Sequence, residues 1–217
     1  MLNQNFQKHE LKFHTKEFWD NFYRNRNKDN RNIDWYFDIT KHAISGFSLK
    51  ELSKEDEILL IGPGLSSILD YLDSNGFTTV TIFDFSEELK SILRERYNKE
   101  WEIESFDITK LNSSFLNEFS KIIDKGCLDC ILSDTINGEN NFVKALKNLV
   151  ISLEEKDGIL YYFSDGKLDD RISLFNKVPN IKYKVTIIDM NSIMKEEYKE
   201  FNYNDNIYYL YTITKTK

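Results

Sequence analysis

The chain has 217 residues, of which 41% are hydrophobic and 30% charged. That balance fits a soluble globular protein. A net charge of -7 opposes a nucleic-acid binder, which needs a basic face, and suits a basic protein partner or a cationic ligand. No apolar run approaches the ~20 residues that cross a bilayer. The start, MLNQNFQKHELKFHTKEFW, lacks an apolar centre and a small-residue cleavage site, so no signal peptide is expected. With two cysteines only, a reducing, cytoplasmic setting is expected.

In chain order, Lys16 to Tyr23 (KEFWDNFY) reads as a short helix. Arg24 to Asn32 (RNRNKDNRN) reads as a solvated connector. A helical run is expected from Trp35 to about Phe47, stopped near Gly46. From Glu57 the pattern becomes alternating strands and helices. EILLIG is a first strand, SSILDYLDSN a helix beginning near Ser66, and TVTIFDF a second strand ending at Asp84. SEELKSILRERYN is a surface helix with Ser86 as its N-cap. WEIESFDI and SKIIDKG are the third and fourth strands. CLDCILSD leads into the helical NNFVKALKNLVISLEE, and DGILYYFS is a fifth strand. KVTIIDM and NIYYLYTITK follow as two late strands that should close as a hairpin. The expected fold is α/β: a Rossmann-like, seven-stranded, mostly parallel sheet, helices on both faces, with a C-terminal antiparallel hairpin. No linker divides the chain. One domain over 1–217 is expected, with 1–50 as an N-terminal helical lid and 51–217 as the core.

The first chemical signal is ILLIGPGLSS. Gly62 and Gly64 at the end of the first strand let the backbone approach a ligand, and the next helix points its N-terminus at the same place. A plain tight turn would explain the glycines equally well. Asp84 follows about 20 residues later, where a carboxylate can accept both ribose hydroxyls of a nucleoside; its alternative is a loop start. Ser67 stands where a dinucleotide fingerprint wants its third glycine or alanine. The pattern therefore fits S-adenosylmethionine, which has no pyrophosphate, better than a dinucleotide. Asp107, ending the third strand in SFDITK, would then reach the exocyclic amine of adenine, with the Ile108 N–H on a ring nitrogen. Its alternative is a strand-end cap.

Several stretches together resemble a known group. FWDNFY, DWY at Asp34 to Tyr36, ILLIGPGLSS, TIFDFSEELK, FDITKL and above all DKGCLDCIL are similar to the class I S-adenosylmethionine-dependent methyltransferases of the elongation-factor-1A lysine methyltransferase type, a group that includes the endothelin-converting-enzyme-associated methyltransferase. Members carry Asp/Glu-Lys-Gly-Thr-Leu-Asp-Ala after the fourth strand. Cys127 and Cys130 stand at the Thr and Ala positions, which favours small packing residues over a metal or redox site. No metal is expected.

The resemblance implies roles. Gly62 and Gly64 would line the methionine end of the cofactor, Asp84 the ribose, Phe85 the adenine face, and Asp107 and Ile108 the adenine edge. Lys125 would sit at the methionine side, through its backbone or through its amine on the methionine carboxylate. Phe18 and Tyr23 match the two aromatic ends of a Tyr-Trp-Asp-x-x-Tyr lid; without the resemblance, Phe18, Trp19 and Phe22 read as core. Asp34, Trp35, Tyr36 and Asp124 are candidates for the wall around a substrate amine, and Asp34, Tyr36 and Asp124 are the catalytic candidates. No general base is identifiable, and no Asp/Asn-Pro-Pro-Tyr follows the fourth strand. The function implied is methylation of a lysine on a translation elongation factor, by a cytoplasmic enzyme expected to be a monomer, with no nucleic-acid or membrane partner. The alternatives are a small-molecule methyltransferase on the same fold and a non-catalytic cofactor-binding protein. His9, His14 and His42 lie outside every motif and are expected in solvated or capping roles.

Overall fold

The computed structural model describes residues 12–25, 32–97, 100–110, 115–190 and 207–216. Most of the connector at Arg24 to Asn32, His9 and the link between the two late strands lie outside them. Seven strands form one sheet: β1 (Ile58–Ile61), β2 (Val80–Asp84), β3 (Glu102–Ser105), β4 (Lys121–Lys125), β5 (Ile159–Ser164), β6 (Ile181–Asp189) and β7 (Ile207–Lys215). Their order is β3-β2-β1-β4-β5-β7-β6. The first five are parallel, while β7 runs antiparallel to both β5 and β6. The fold is the expected seven-stranded α/β sheet with its antiparallel C-terminal pair.

The helices are α1 (Lys16–Arg24), α2 (Ser67–Ser74), α3 (Glu87–Arg96), α4 (Cys127–Ile131), α5 (Gly138–Ser152) and α6 (Leu168–Phe175). All four residues of β1 are buried, as a strand covered on both faces requires. Successive side chains take opposite faces. Ile58 and Leu60 join Trp19 and Tyr23 of α1, Leu69 and Leu72 of α2, and Leu89 and Leu93 of α3. Leu59 and Ile61 join Leu128 of α4, Phe142, Leu146 and Leu149 of α5, and Phe175 of α6. Burying each such side chain contributes about 1.5–3 kcal/mol. The outer strand β6 leaves Lys182 and Lys184 exposed, a charge pattern that discourages pairing with another sheet edge. Among the described residues no helix is long and apolar enough to cross a membrane.

The helix expected from Trp35 to Phe47 does not form; turns and bends take its place, followed by a short 3-10 turn at Leu49–Glu51. The backbone groups a helix would use are engaged elsewhere. Lys125 Nζ donates to the carbonyls of Trp35 at 3.0 Å and Phe37 at 2.8 Å. The Asp38 carboxylate takes the Thr40 N–H at 2.9 Å, and Tyr36 sits at φ 67°. CLDC, which leads toward the next helix, forms the short helix α4 of its own.

Candidate functional site

The parallel register ends the inner strands together. Ile61 pairs with Phe83 and with Asp124, and Asp84 with Ser105. The residues just beyond them lie along one carboxyl edge. The chain leaves β1 toward β2 and β3, then returns to β4 on the other side. This reversal opens a crevice where α/β sheets bind ligands. A cavity of about 170 Å³ lies there. Its floor includes Gly62, Gly64, Asp84, Phe85, Asp107, Ile108, Lys125, Gly126 and Cys127, and its roof includes Phe13, His14, Trp19, Tyr23, Trp35 and Tyr36.

The glycines are required by crowding as well as by backbone. Gly62 has φ 52°, and a Cβ there would lie 2.7 Å from Cys127 Cβ and 2.8 Å from its Sγ. Gly64 has φ 58°, and a Cβ there would lie 2.9 Å from the Tyr23 hydroxyl. The strand-end loop is thus flush against α4 on one side and α1 on the other.

Asp84 accepts the Ser86 N–H at 3.0 Å. Burial raises its carboxyl to about 6, against the lowering effect of the Ser86 and Gly64 backbone N–H groups. A desolvated carboxylate short of donors is a receptor for hydroxyl or N–H groups of a ligand. Asp107 differs. Burial alone would raise it, but the Thr109 hydroxyl, Lys110 and the Thr109 N–H together hold it below its ordinary value. The Thr109 hydroxyl lies at 2.7 Å, its N–H at 3.0 Å and Lys110 Nζ at 3.1 Å. It caps the turn Ile108–Lys110 and lines the cavity at the same time.

Lys125 commits its amine to groups of the protein. Besides the two carbonyls, Nζ donates to Asp34 Oδ1 at 2.5 Å, which uses all three N–H donors. Asp34 also accepts the Ser66 hydroxyl at 2.5 Å and the Ser67 N–H at 3.1 Å. It caps α2 from a distance, because Ser66 makes no side-chain cap bond itself. Asp34 and Lys125 therefore pin the segment 34–37 over the glycine loop.

Of the three carboxylate and phenol candidates, only Tyr36 lines the cavity. Asp34 is committed as just described. Asp124 is fully buried and accepts the N–H groups of Cys127 at 2.8 Å and Leu128 at 3.0 Å, capping α4. Burial, aided by Asp129, pushes its carboxyl well up. Phe18 likewise lies off the cavity, edge-on to Phe13 and Trp19 at 5.0 and 5.1 Å. Trp19 is core, as its residue pattern suggests, and also forms part of the roof, with its indole N–H on the Phe13 carbonyl at 2.7 Å.

Cys127 and Cys130 are free thiols lining the cavity. Burial raises both, so they stay protonated at neutral pH. His14 also lines the cavity, with Nδ1 3.2 Å from the Ser133 hydroxyl. No local sequence pattern marks this histidine, because its partner is 119 residues away. Asp129 was missed too, although it sits inside DKGCLDCIL. It accepts the Tyr36 hydroxyl at 2.6 Å, the Ser164 hydroxyl at 2.9 Å and Arg171 Nη2 at 2.8 Å. Asp134 and Asn141 complete the rim.

The sheet and its carboxyl-edge cavity define a Rossmann-like fold of the class I methyltransferase type. One solved neighbour is the N-methyltransferase NodS of Bradyrhizobium japonicum in complex with S-adenosylhomocysteine. It matches with a TM-score of 0.52 and 13% identity, covering 74% of this chain and 78% of NodS. In sequence, the chain resembles proteins named as elongation-factor-1A lysine methyltransferases. It is 32% identical over 153 residues to the Danio rerio EEF1A lysine methyltransferase 2, covering 65% of this chain and 63% of that protein. It is 27% identical over 128 residues to the Xenopus laevis eEF1A lysine and N-terminal methyltransferase, covering 58% of this chain but 18% of that longer protein. No family model matches the chain.

Proposed function

We propose that the chain is an S-adenosylmethionine-dependent methyltransferase acting in the cytoplasm on a lysine of a basic protein, with elongation factor 1A the leading candidate. The observation that carries the reading is the convergence of Gly62, Asp84 and Asp107, each at the end of a successive parallel strand, on one aromatic-roofed cavity. The names of the relatives support the lysine acceptor.

The residues fit the cofactor chemically. The Gly62 and Gly64 backbones leave no side chain to exclude the methionine end. The raised Asp84 carboxylate would be relieved by two ribose hydroxyl donors. Asp107 and Ile108 would meet the adenine edge and Phe85 its face. Tyr23 and Trp19 would cover the bound group. For Lys125, the backbone is left for this contact, since the amine holds Asp34. Bound there, S-adenosylmethionine would supply an electrophilic methyl group. The protein's part is alignment, worth up to about 7–11 kcal/mol in well-oriented displacements. The acceptor amine must also arrive unprotonated, its free pKa being ~10.4. The aromatic walls of Trp19, Trp35 and Tyr36 disfavour the charged form.

The test is to incubate the protein with methyl-labelled cofactor and a cell extract lacking its own methyltransferase of this type. Label should enter one protein band near the size of the elongation factor, as methyl-lysine, and less efficiently at high salt. Label confined to a low-mass fraction overturns the lysine reading in favour of a small-molecule acceptor. Cofactor binding with no label in any fraction points to a non-catalytic binding protein.

A further inference from the structure

Tyr36 occupies a backbone conformation, φ 67°, that a tyrosine adopts only when its surroundings enforce it. The enforcement is visible. Its ring packs on Tyr208 at 5.1 Å, and Lys125 holds the carbonyls on either side. Its hydroxyl donates to Asp129 Oδ2 at 2.6 Å. Gly126, at φ 99°, lies directly beneath, where a Cβ would come within 3.1 Å of that hydroxyl. The phenol is thus set against the end of β4, beside the glycine loop, and it lines the cavity.

Asp129 is itself held on every side. Arg171 reaches its Oδ1 with Nε at 3.1 Å and Nη2 at 2.8 Å. The Ser164 hydroxyl lies at 2.9 Å, and the Tyr162 hydroxyl also donates to it. The Arg171 guanidinium in turn lies over Gly166, where a side chain would have to displace it. A surface ion pair needs none of this. Three side chains, Tyr162 and Ser164 of β5 and Arg171 of α6, fix one oxygen of a carboxylate whose other oxygen meets Tyr36.

We infer that Asp129 is a positioning residue and that Tyr36 is the group that accepts a hydrogen bond from the substrate amine. A phenol has one proton and two lone pairs. The proton goes to Asp129 at 2.6 Å, the nearer of two carboxylates, Asp165 Oδ1 lying at 3.4 Å, so toward a ligand amine the oxygen acts as an acceptor. Burial and the neighbouring Asp129 push the phenol well up, so it does not serve as a base. It orients the amine by an N–H bond and leaves the nitrogen lone pair free. This rests on the methyltransferase reading above and adds the residue pair that sets the direction of the amine.

The probe is sinefungin, the cofactor analogue that carries an amine where the methylsulfonium would be, compared with S-adenosylhomocysteine, which has neither. Both affinities are measured by calorimetry on the full chain and expressed as a ratio. Tyr36→Phe and Asp129→Asn should each lower the sinefungin affinity about tenfold while leaving that for S-adenosylhomocysteine in place. Combined, they should lower it no further than either alone, because they remove one device. A merely structural Asp129 would weaken both ligands together or neither, with no change in ratio. Should Asp129→Asn not fold, Arg171→Lys loosens the same carboxylate and should lower the ratio about threefold in the presence of Tyr36 and not in its absence. A ratio unchanged in Tyr36→Phe overturns the acceptor role. A ratio lost in Tyr36→Phe but kept in the Asp129 and Arg171 variants overturns the positioning role. If the wild-type chain binds neither ligand, the methyltransferase reading itself fails.

Discussion

Asp84→Asn should move stability and ligand affinity in opposite directions. Burial lifts the Asp84 carboxyl from 3.8 to about 6, a penalty on the charged form of about 3 kcal/mol. The folded value is the higher one, so the folded chain binds the extra proton and the penalty is absent below about pH 3.8. It grows as pH rises toward 6 and is complete above that. Without ligand, Asp84→Asn should therefore melt higher than wild type at pH 7.5. A gain of up to about 3 kcal/mol would raise Tm by about 6–12 °C in a chain of this length. The gain should shrink as pH is lowered through 6 to 4. With saturating S-adenosylhomocysteine that advantage should shrink toward zero. The variant loses two charge-assisted hydrogen bonds to ribose, about 1.5–3 kcal/mol or roughly ten- to a hundredfold in affinity. Scanning calorimetry with and without ligand at pH 7.5 and 5 reads both effects. A ligand-free variant that melts lower than wild type at pH 7.5, together with unchanged affinity, would refute the reasoning.

Two further perturbations test the walls of the cavity. Gly62→Ala drives a Cβ into Cys127 at 2.7 Å and strains a positive φ; it should cost about 1–3 kcal/mol by urea denaturation, and restoring space with Cys127→Gly should recover only part of that. Lys125→Met leaves the Asp34 carboxylate without its cation, and should cost about 3–5 kcal/mol. Its amide exchange should rise over residues 32–38 while β1 and β2 stay protected, and equal protection throughout would show that the salt bridge does not hold this segment.

The strand framework was legible because its signals are local. ILLI, TIFD and KIID are short apolar runs ending in glycine or aspartate, and parallel register brings such ends together whatever the loops do. Gly62, Gly64, Asp84, Asp107 and Ile108 follow from those signals, and Phe85 from the family resemblance; all six line the cavity. The segment from Trp35 to Phe47 was not legible. Its apolar spacing suits a helix, but Lys125, 88 and 90 residues away in sequence, takes the carbonyls at Phe37 and Trp35, and no local pattern contains that partner. Asp34 and Asp124 looked like free carboxylates for the same reason. Each turned out to cap a helix start, α2 and α4, where the backbone donors are strongest. Asp129 was hidden differently: it lies in a recognised motif, but its partners Ser164 and Arg171 come from β5 and α6. Phe18 and Trp19 are neighbours about 100° apart around α1, so the ring of Trp19, which is core, also faces the cavity while that of Phe18 does not.

The central claim is that the carboxyl-edge cavity between Gly62 and Asp107 binds S-adenosylmethionine through an ionised Asp84. Calorimetric titration of the full chain with S-adenosylhomocysteine from pH 5 to 8 tests it most directly. The account predicts one site per chain, affinity constant above about pH 6, and a fall below it approaching tenfold per pH unit as the carboxylate protonates. No binding heat at any pH, or binding that is indifferent to pH and survives Asp84→Asn, would contradict it.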